Sequence, residues 1–328
     1  MSRIAIVGSG SWGTALALSL ARRGDHSIAL WSHSAAVGTY LPGFPIPPQV
    51  DHLTDLAVAV VGAETVISAV PSQHLRAIYH AMAPFLVPGQ IIVSATKGIE
   101  DQSFLRMTQV IEQVLAERNL NQDLPCGALS GPSFAQEVAS SAPTAITLAF
   151  ADSRLASRLQ EELSAPALRL YTNDDVIGVE LGGALKNVIA IAAGIADGLG
   201  LGDNSKAALI TRSLAEMARL GLALGGKRET FQGLSGAGDL IVTCFSRHSR
   251  NRRVGERIGR GEHLKDIQRS MQMVAEGVPT TRSARDCAIR LAVTTPIINE
   301  VNSILYENAS PAVAMERLIS RAFRPEED

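Results

Sequence analysis

An apolar, β-branched run, Ile4-Ala5-Ile6-Val7, passes straight into Gly8-Ser9-Gly10-Ser11-Trp12-Gly13 and then into an apolar helical stretch over residues 14–22. A second strand-like run follows at residues 27–31. Few folds place a strand, three glycines at G-x-G-x-x-G spacing, a helix and another strand in so short a length. The arrangement that uses every glycine is the first βαβ unit of a dinucleotide-binding sheet. Gly8 allows the tight turn, Gly10 lets backbone approach a pyrophosphate, and Gly13 lets the helix lie close on the sheet. The helix start then offers unpaired N–H groups and a partial positive charge to phosphates. A glycine turn that binds nothing is the competing explanation, and the flanking strands and helix weigh against it.

The rest of the chain extends this pattern and then abandons it. Strand-like runs at residues 65–70, 90–95, 127–130 and 144–150 alternate with helical stretches, which predicts a mostly parallel, doubly wound sheet. Beyond Asp174 the strand signal stops. Runs at 176–196, 206–224, 249–259 and 301–323 carry helical spacing with glycine-rich breaks. The expected fold class is therefore α/β, an N-terminal Rossmann-type doubly wound sheet followed by an all-α domain. The expected division falls at 1–172 for dinucleotide binding and 173–328 for substrate and catalysis, and 328 residues suit two domains. The proline-rich stretch Leu41-Pro42-Gly43-Phe44-Pro45-Ile46-Pro47-Pro48 reads as a stiff loop, and Glu326-Glu327-Asp328 as a frayed end.

Several functions are excluded early. Thirty-two acidic against 30 basic residues leaves a net charge of −2, so no overall field attracts nucleic acid or an anionic membrane. Residues 77–96, a run without Asp, Glu, Lys or Arg, contain Pro84, Pro88 and Gly89, and so are not one spanning helix. No secretory signal is expected at the start. Cys126, Cys244 and Cys287 stand far apart without a CxxC, as buried thiols of a reducing compartment would. Seven histidines lack HExxH spacing, so no metal is expected.

Four segments carry candidate chemistry. Over residues 176–201 only Glu180, Lys186 and Asp197 are charged. Leu181, Leu185, Val188, Ala192 and Ile195 form an apolar stripe, and Lys186 lies roughly opposite among Gly182, Gly183, Ala190 and Ala193. A desolvated lysine has a lowered pKa, which suits general acid–base work; snorkelling to solvent or a structural ion pair would explain it too. Gly233-Leu234-Ser235-Gly236-Ala237-Gly238-Asp239 ends in a carboxylate that could cap a helix or pair with Lys186. Arg247-His248-Ser249-Arg250-Asn251-Arg252-Arg253 could cradle a phosphate at a helix start, whereas Arg257 and Arg260 look like a solvated face. Lys97 and the segment Gly131-Pro132-Ser133 follow strands at their carboxyl ends, where open α/β sheets bind ligands; Ser133 with Gln136 also spells a capping box. At the end of the second strand, Trp31-Ser32-His33-Ser34 holds no carboxylate for a ribose 2′-hydroxyl. Ser32 and His33 could instead accommodate a 2′-phosphate, so NADP is slightly favoured over NAD.

Read in order, these blocks resemble a known family. Gly8–Ala17, Ala95-Thr96-Lys97-Gly98, Ser130-Gly131-Pro132-Ser133-Phe134-Ala135, Gly182-Gly183-Ala184-Leu185-Lys186-Asn187, Gly236-Ala237-Gly238-Asp239, Ser249-Arg250-Asn251-Arg252-Arg253 and Val274-Ala275-Glu276-Gly277 together look like bacterial-type NAD(P)-dependent glycerol-3-phosphate dehydrogenase. The resemblance implies reversible hydride transfer between NAD(P)H and C2 of dihydroxyacetone phosphate or sn-glycerol 3-phosphate. By matching position, Lys186 would be the general acid/base and Asp239 would contact substrate beside it. Lys97, Gly131, Ser133, Ser249, Arg250 and Asn251 would bind substrate. Ser11, Trp12, His33, Lys97, Ala135, Arg250, Val274 and Glu276 would line the cofactor. It further implies a cytoplasmic homodimer whose product feeds glycerophospholipid synthesis. Two other readings remain: a dehydrogenase acting on a β-hydroxy acid, and a non-catalytic dinucleotide-sensing module. Ser249-Arg250-Asn251 argues for a phosphorylated substrate.

Overall fold

A computed structural model of the chain describes residues 2–34, 41–271, 273–322 and 325. Its sheet has eight strands: β1 (Ser2–Val7), β2 (His26–Trp31), β3 (Val50–Leu53), β4 (Thr65–Ser68), β5 (Ile91–Ser94), β6 (Cys126–Ser130), β7 (Thr144–Ala149) and β8 (Leu168–Asn173). They lie in the order β3-β2-β1-β4-β5-β6-β7-β8. The first six run parallel, β7 pairs antiparallel with β6, and β8 is parallel to β7. The expected doubly wound sheet is present. Two strands, β3 and β8, are additional to the sequence pattern. Only Val50 of β3 is buried, and Asp51-His52 interrupts any apolar run. In β8, Leu168 and Leu170 point inward while Arg169 and Tyr171 face out, a period-two signal in a single short stretch.

Register aligns the carboxyl ends of the parallel strands. Val7 pairs with Trp31 and with Ser68, and Ser68 pairs with Ser94. The loops leaving β1, β2, β4 and β5 therefore gather along one edge, and the strand order reverses direction at β1. A crevice at such a switch point is where open α/β sheets take their ligands.

Beyond β8 the structure is helical around one central helix, Val176–Gly198, whose residues from Gly178 to Ala196 are all buried. It is long and apolar enough to cross a membrane, yet 89% of its most apolar window is buried inside the protein. Neighbours in the helical half supply the covering apolar surface, among them Met217, Leu240, Val254 and Ile298. The helical run expected over 301–323 is two helices, Pro296–Tyr306 and Pro311–Ile319. Asn308 between them has φ +58°, and Pro311 starts the second, so one continuous helix cannot form. Phe323 and the acidic residues Glu326-Glu327-Asp328 lie outside the described residues. Cys126, Cys244 and Cys287 are free thiols, the last two buried.

Candidate active site

The crevice at the sheet edge opens into a cleft of about 900 Å³ between the sheet and the helical half. One end is built by the glycine turn. Gly8 has φ +117°, a conformation that L side chains rarely adopt, and a Cβ there would sit 2.6 Å from the Ala69 carbonyl oxygen. A Cβ on Gly13 would sit 1.8 Å from the Gly8 oxygen, so this residue sets how closely the helix Ser11–Ala21 approaches its own turn. Gly10 differs: a Cβ there would meet nothing within 4 Å. The space beside it opens on the cleft at the start of an eleven-residue helix, where a pyrophosphate would lie. Trp12, beside it, has a buried indole Nε1 without a hydrogen-bond partner among the described residues. These features fit a dinucleotide. Gly10→Ala is expected to cost about 1 kcal/mol of stability or less, as a lost N-cap glycine would, while weakening NADPH binding at least tenfold. Gly13→Ala is expected not to fold normally. Melting curves and fluorescence titration with NADPH check both.

The residues after β2 form the far end. Trp31, Ser32, His33 and Ser34 line the cleft without a carboxylate among them. The Ser32 hydroxyl donates to the Ser34 carbonyl at 2.5 Å and lies 2.6 Å from Nε2 of His52 on β3.

Lys186 stands at the centre. It is 8% exposed on the central helix, and its Nζ donates to Asp239 Oδ1 and to Thr243 Oγ1, each at 2.8 Å. Asp239 is 1% exposed; its other oxygen accepts from Lys97 Nζ at 2.6 Å, and that same Nζ donates to the Gly131 carbonyl at 3.0 Å. One carboxylate thus serves two ammonium groups. Burial pushes the Lys186 pKa down and Lys97 adds to this, while Asp239 opposes it, leaving Lys186 lowered from 10.5 to about 8. For Asp239, burial acts to raise the pKa, but the two lysines outweigh it and hold the carboxyl ionised. Small residues make this packing possible. A Cβ on Gly182 would strike the Ser235 carbonyl at 2.5 Å, and one on Gly183 would strike Ser130 Oγ at 2.4 Å.

Of the two explanations open for Asp239, pairing is the one realised. The helix Asp239–Phe245 begins with Gly238 as its cap, and the Asp239 side chain turns inward to the lysines. Ser133 likewise makes no capping box: its hydroxyl donates to the Gly131 carbonyl at 2.9 Å, and Phe134 caps the short helix Ala135–Ala139 without a side-chain bond.

The basic segment forms the opposite wall. Ser249 caps the helix Arg250–Gly259 by accepting from Arg252 N at 3.2 Å. Asn251 Nδ2 donates to Asn187 Oδ1 at 2.9 Å, and Asn251 Oδ1 accepts from Gly277 N at 2.9 Å, so this amide is fixed beside the residue that follows Lys186. Arg250 Nη1 donates to the Val274 carbonyl at 3.0 Å. Arg257 pairs with Glu262 and Arg260 with Glu256, whereas Arg250 and Arg253 line the cleft. Opposite, Glu276 accepts from the backbone N of Ser72 at 3.2 Å and from its hydroxyl, tying the helical half to the loop after β4. Burial raises the pKa of Glu276.

Most residues singled out from sequence therefore meet in one place. Gly8, Gly10, Ser11, Trp12, His33, Lys97, Ser133, Ala135, Lys186, Ser249, Arg250, Asn251, Val274 and Glu276 line the cleft. Gly13, Gly131 and Asp239 support it from behind. Thr243, Asn187 and Arg253 also line it and were not singled out. Asn187 and Arg253 lie in the quoted motifs, but Thr243, four residues beyond Asp239, carries no pattern of its own.

Comparison with known proteins places these features in context. Residues 3–156 match the family described as NAD-dependent glycerol-3-phosphate dehydrogenase N-terminus, and residues 175–316 the corresponding C-terminus. The chain is 52% identical over 340 residues to a glycerol-3-phosphate dehydrogenase [NAD(P)+] of Acidobacterium capsulatum, covering 99% of this chain and all of that one. It is 51% identical to that of Koribacter versatilis, covering 98% of both chains. A crystal structure of glycerol-3-phosphate dehydrogenase from Coxiella burnetii superposes with a TM-score of 0.91 at 40% identity, covering 98% of this chain and 99% of that one. A ketopantoate reductase from Ralstonia eutropha, at 15% identity and a TM-score of 0.58, shares the fold alone.

Proposed function

The chain belongs to the NAD-dependent glycerol-3-phosphate dehydrogenase family and is an NAD(P)-dependent oxidoreductase of that activity; from this we propose how its residues reduce dihydroxyacetone phosphate to sn-glycerol 3-phosphate and reverse the step. The observation that carries the reading is the buried Lys186 ammonium, shared with Asp239 and open to the cleft beside Arg250 and Asn251.

When bound against the turn Gly8–Gly13, with Ser11, Trp12, His33, Lys97, Ala135, Arg250, Val274 and Glu276 along its length, the dinucleotide supplies the hydride. Arg250, with Ser249 and Asn251, grips the substrate phosphate through charge-assisted hydrogen bonds at a helix start. Lys97 and Ser133, both bonded to the Gly131 carbonyl, hold the hydroxyketone end. Lys186, protonated below about pH 8, delivers its proton to the C2 oxygen as charge develops there, and takes it back in the oxidation. Where the resemblance implies a substrate contact for Asp239, its burial and its two lysine partners favour a positioning role. It holds both ammonium groups toward the cleft and keeps Lys186 from losing its proton too readily. Thr243 accepts from Lys186 and donates to the Asp239 carbonyl, so its hydroxyl proton is already committed and its lone pair faces the ammonium.

The same proposal covers the finer points. The division into domains at 172/173 falls within one residue of the end of β8 at Asn173 and just before the central helix starts at Val176. NADP is favoured over NAD, because Ser32 and His33 stand where a ribose-binding carboxylate would be. A cytoplasmic homodimer that feeds glycerophospholipid synthesis rests on the family alone. The test is a rate comparison with dihydroxyacetone phosphate as the substrate. Turnover is expected with both cofactors and a higher kcat/KM with NADPH than with NADH; no oxidation of either cofactor would overturn the reading, and an NADH preference would overturn the cofactor choice.

A further inference from the structure

The helix carrying Lys186 and the helix starting at the phosphate-binding turn touch backbone to backbone. A Cβ on Gly194 would lie 1.9 Å from the Arg252 carbonyl oxygen, and one on Gly255 would lie 1.9 Å from that of Ile191. Gly198 and Gly259 repeat the contact one turn further, at 2.3 Å from the Glu256 oxygen and 2.6 Å from the Ile195 oxygen. The contacts recur at four-residue spacing on both helices, and Gly198 meets Gly259 directly, so side chains larger than hydrogen at these positions would strike the facing backbone. Such a seam fixes separation, while the register along it is left to polar contacts such as the Asn251–Asn187 bond at its start.

A polar lock stands beside it. Asp197, near the carboxyl end of the Lys186 helix, accepts from Arg252 Nε and Nη2, each at 2.7 Å. Arg252 sits one residue after Asn251. The same carboxylate accepts from Lys206 Nζ at 2.9 and 2.8 Å, and Lys206 is 5% exposed. Neither Asp197, Arg252 nor Lys206 lines the cleft. A partly buried carboxylate holding cations from two other helices is less screened than a surface pair, and the planar guanidinium fixes orientation as well as distance.

We infer that Asp197 is a positioning residue: by holding Arg252 against the glycine crossing, it sets the phosphate-binding turn Ser249–Asn251 at a fixed span from Lys186. The enzyme thereby measures the distance from the carbon it reduces to the phosphate of its substrate. This rests on the reading of Lys186 and Arg250 given above. Misplacing a binding group by about 1 Å costs as much as 10²-fold in rate. The loss should reach only substrates that use the phosphate turn.

The experiment compares dihydroxyacetone phosphate with dihydroxyacetone, which lacks the phosphate, in wild type and Asp197→Asn. The variant is expected to lose about tenfold in kcat/KM for the phosphate ester, mainly through KM, with dihydroxyacetone turnover at saturating NADPH within twofold of wild type. Arg252→Met, which keeps the apolar stem, is expected to show the same split, and the double variant to be no worse than either single one. Equal losses with both substrates, or an unchanged KM in Arg252→Met, would overturn the inference; Arg252→Met decides it alone if Asp197→Asn does not fold. A wild-type enzyme that turned over the two substrates equally well would instead contradict the phosphate role of the turn.

Discussion

Lys186→Met is expected to lower kcat for dihydroxyacetone phosphate reduction by about 10³- to 10⁴-fold while leaving NADPH affinity within a factor of two. General acid catalysis supplies about 10²- to 10⁴-fold, and the lost cation also removes electrostatic stabilisation of a developing alkoxide, which supports the upper part of that range. Methionine fills most of the lysine volume on a helix with no room for rearrangement. Asp239 keeps its bond to Lys97, so removing Lys186 does not strand a buried carboxylate. That distinction predicts a folded protein with an ordinary melting curve. Turnover within tenfold of wild type would show that another group delivers the proton.

The second large effect is expected at Arg250. Arg250→Ala should raise KM for dihydroxyacetone phosphate by about 10- to 100-fold, from losing charge-assisted hydrogen bonds of about 1.5–3 kcal/mol. Arg250→Lys should recover only part of this, because an ammonium cannot reproduce the two-pronged contact of the guanidinium. The change also leaves the Val274 carbonyl without its Arg250 bond, on the segment that reaches Glu276. NADPH affinity should therefore weaken together with KM, in contrast to Lys186→Met. Steady-state kinetics and NADPH fluorescence separate the two patterns, and an unchanged KM would remove the phosphate role from Arg250.

How much of this was legible before the structure depends on how local each cause is. The turn Gly8–Gly13 was readable because strand, glycines and helix are contiguous, and each glycine answers a local steric demand. Lys186 stood out because an otherwise apolar helix has few reasons to carry a lysine. Its bond to Asp239 could be offered only as one option, since the two residues are separated by 53 positions. Thr243 was invisible for the same reason. Its role comes from facing Lys186, and a threonine in a short helix has no distinctive spacing. The pairing of Gly194 and Gly198 with Gly255 and Gly259 was equally hidden. Each glycine alone reads as a weak point in a helix, and only the crossing shows what it makes room for. In the basic segment, sequence separated Arg250 from Arg257 and Arg260, yet gave no sign that Arg252 turns away to Asp197.

The central claim is that the buried Lys186 ammonium is the proton donor, and its lowered pKa makes that claim measurable. The ketone reduction needs the charged form and the alcohol oxidation the neutral one. Above pH 7, kcat/KM for dihydroxyacetone phosphate should stay level to about pH 8 and then fall tenfold per unit, while kcat/KM for sn-glycerol 3-phosphate oxidation should rise to the same point and level off. The residual activity of Lys186→Met should show no break near pH 8. A reduction rate that stays flat from pH 7 to about 9.5, or a break that survives in Lys186→Met, would contradict the assignment.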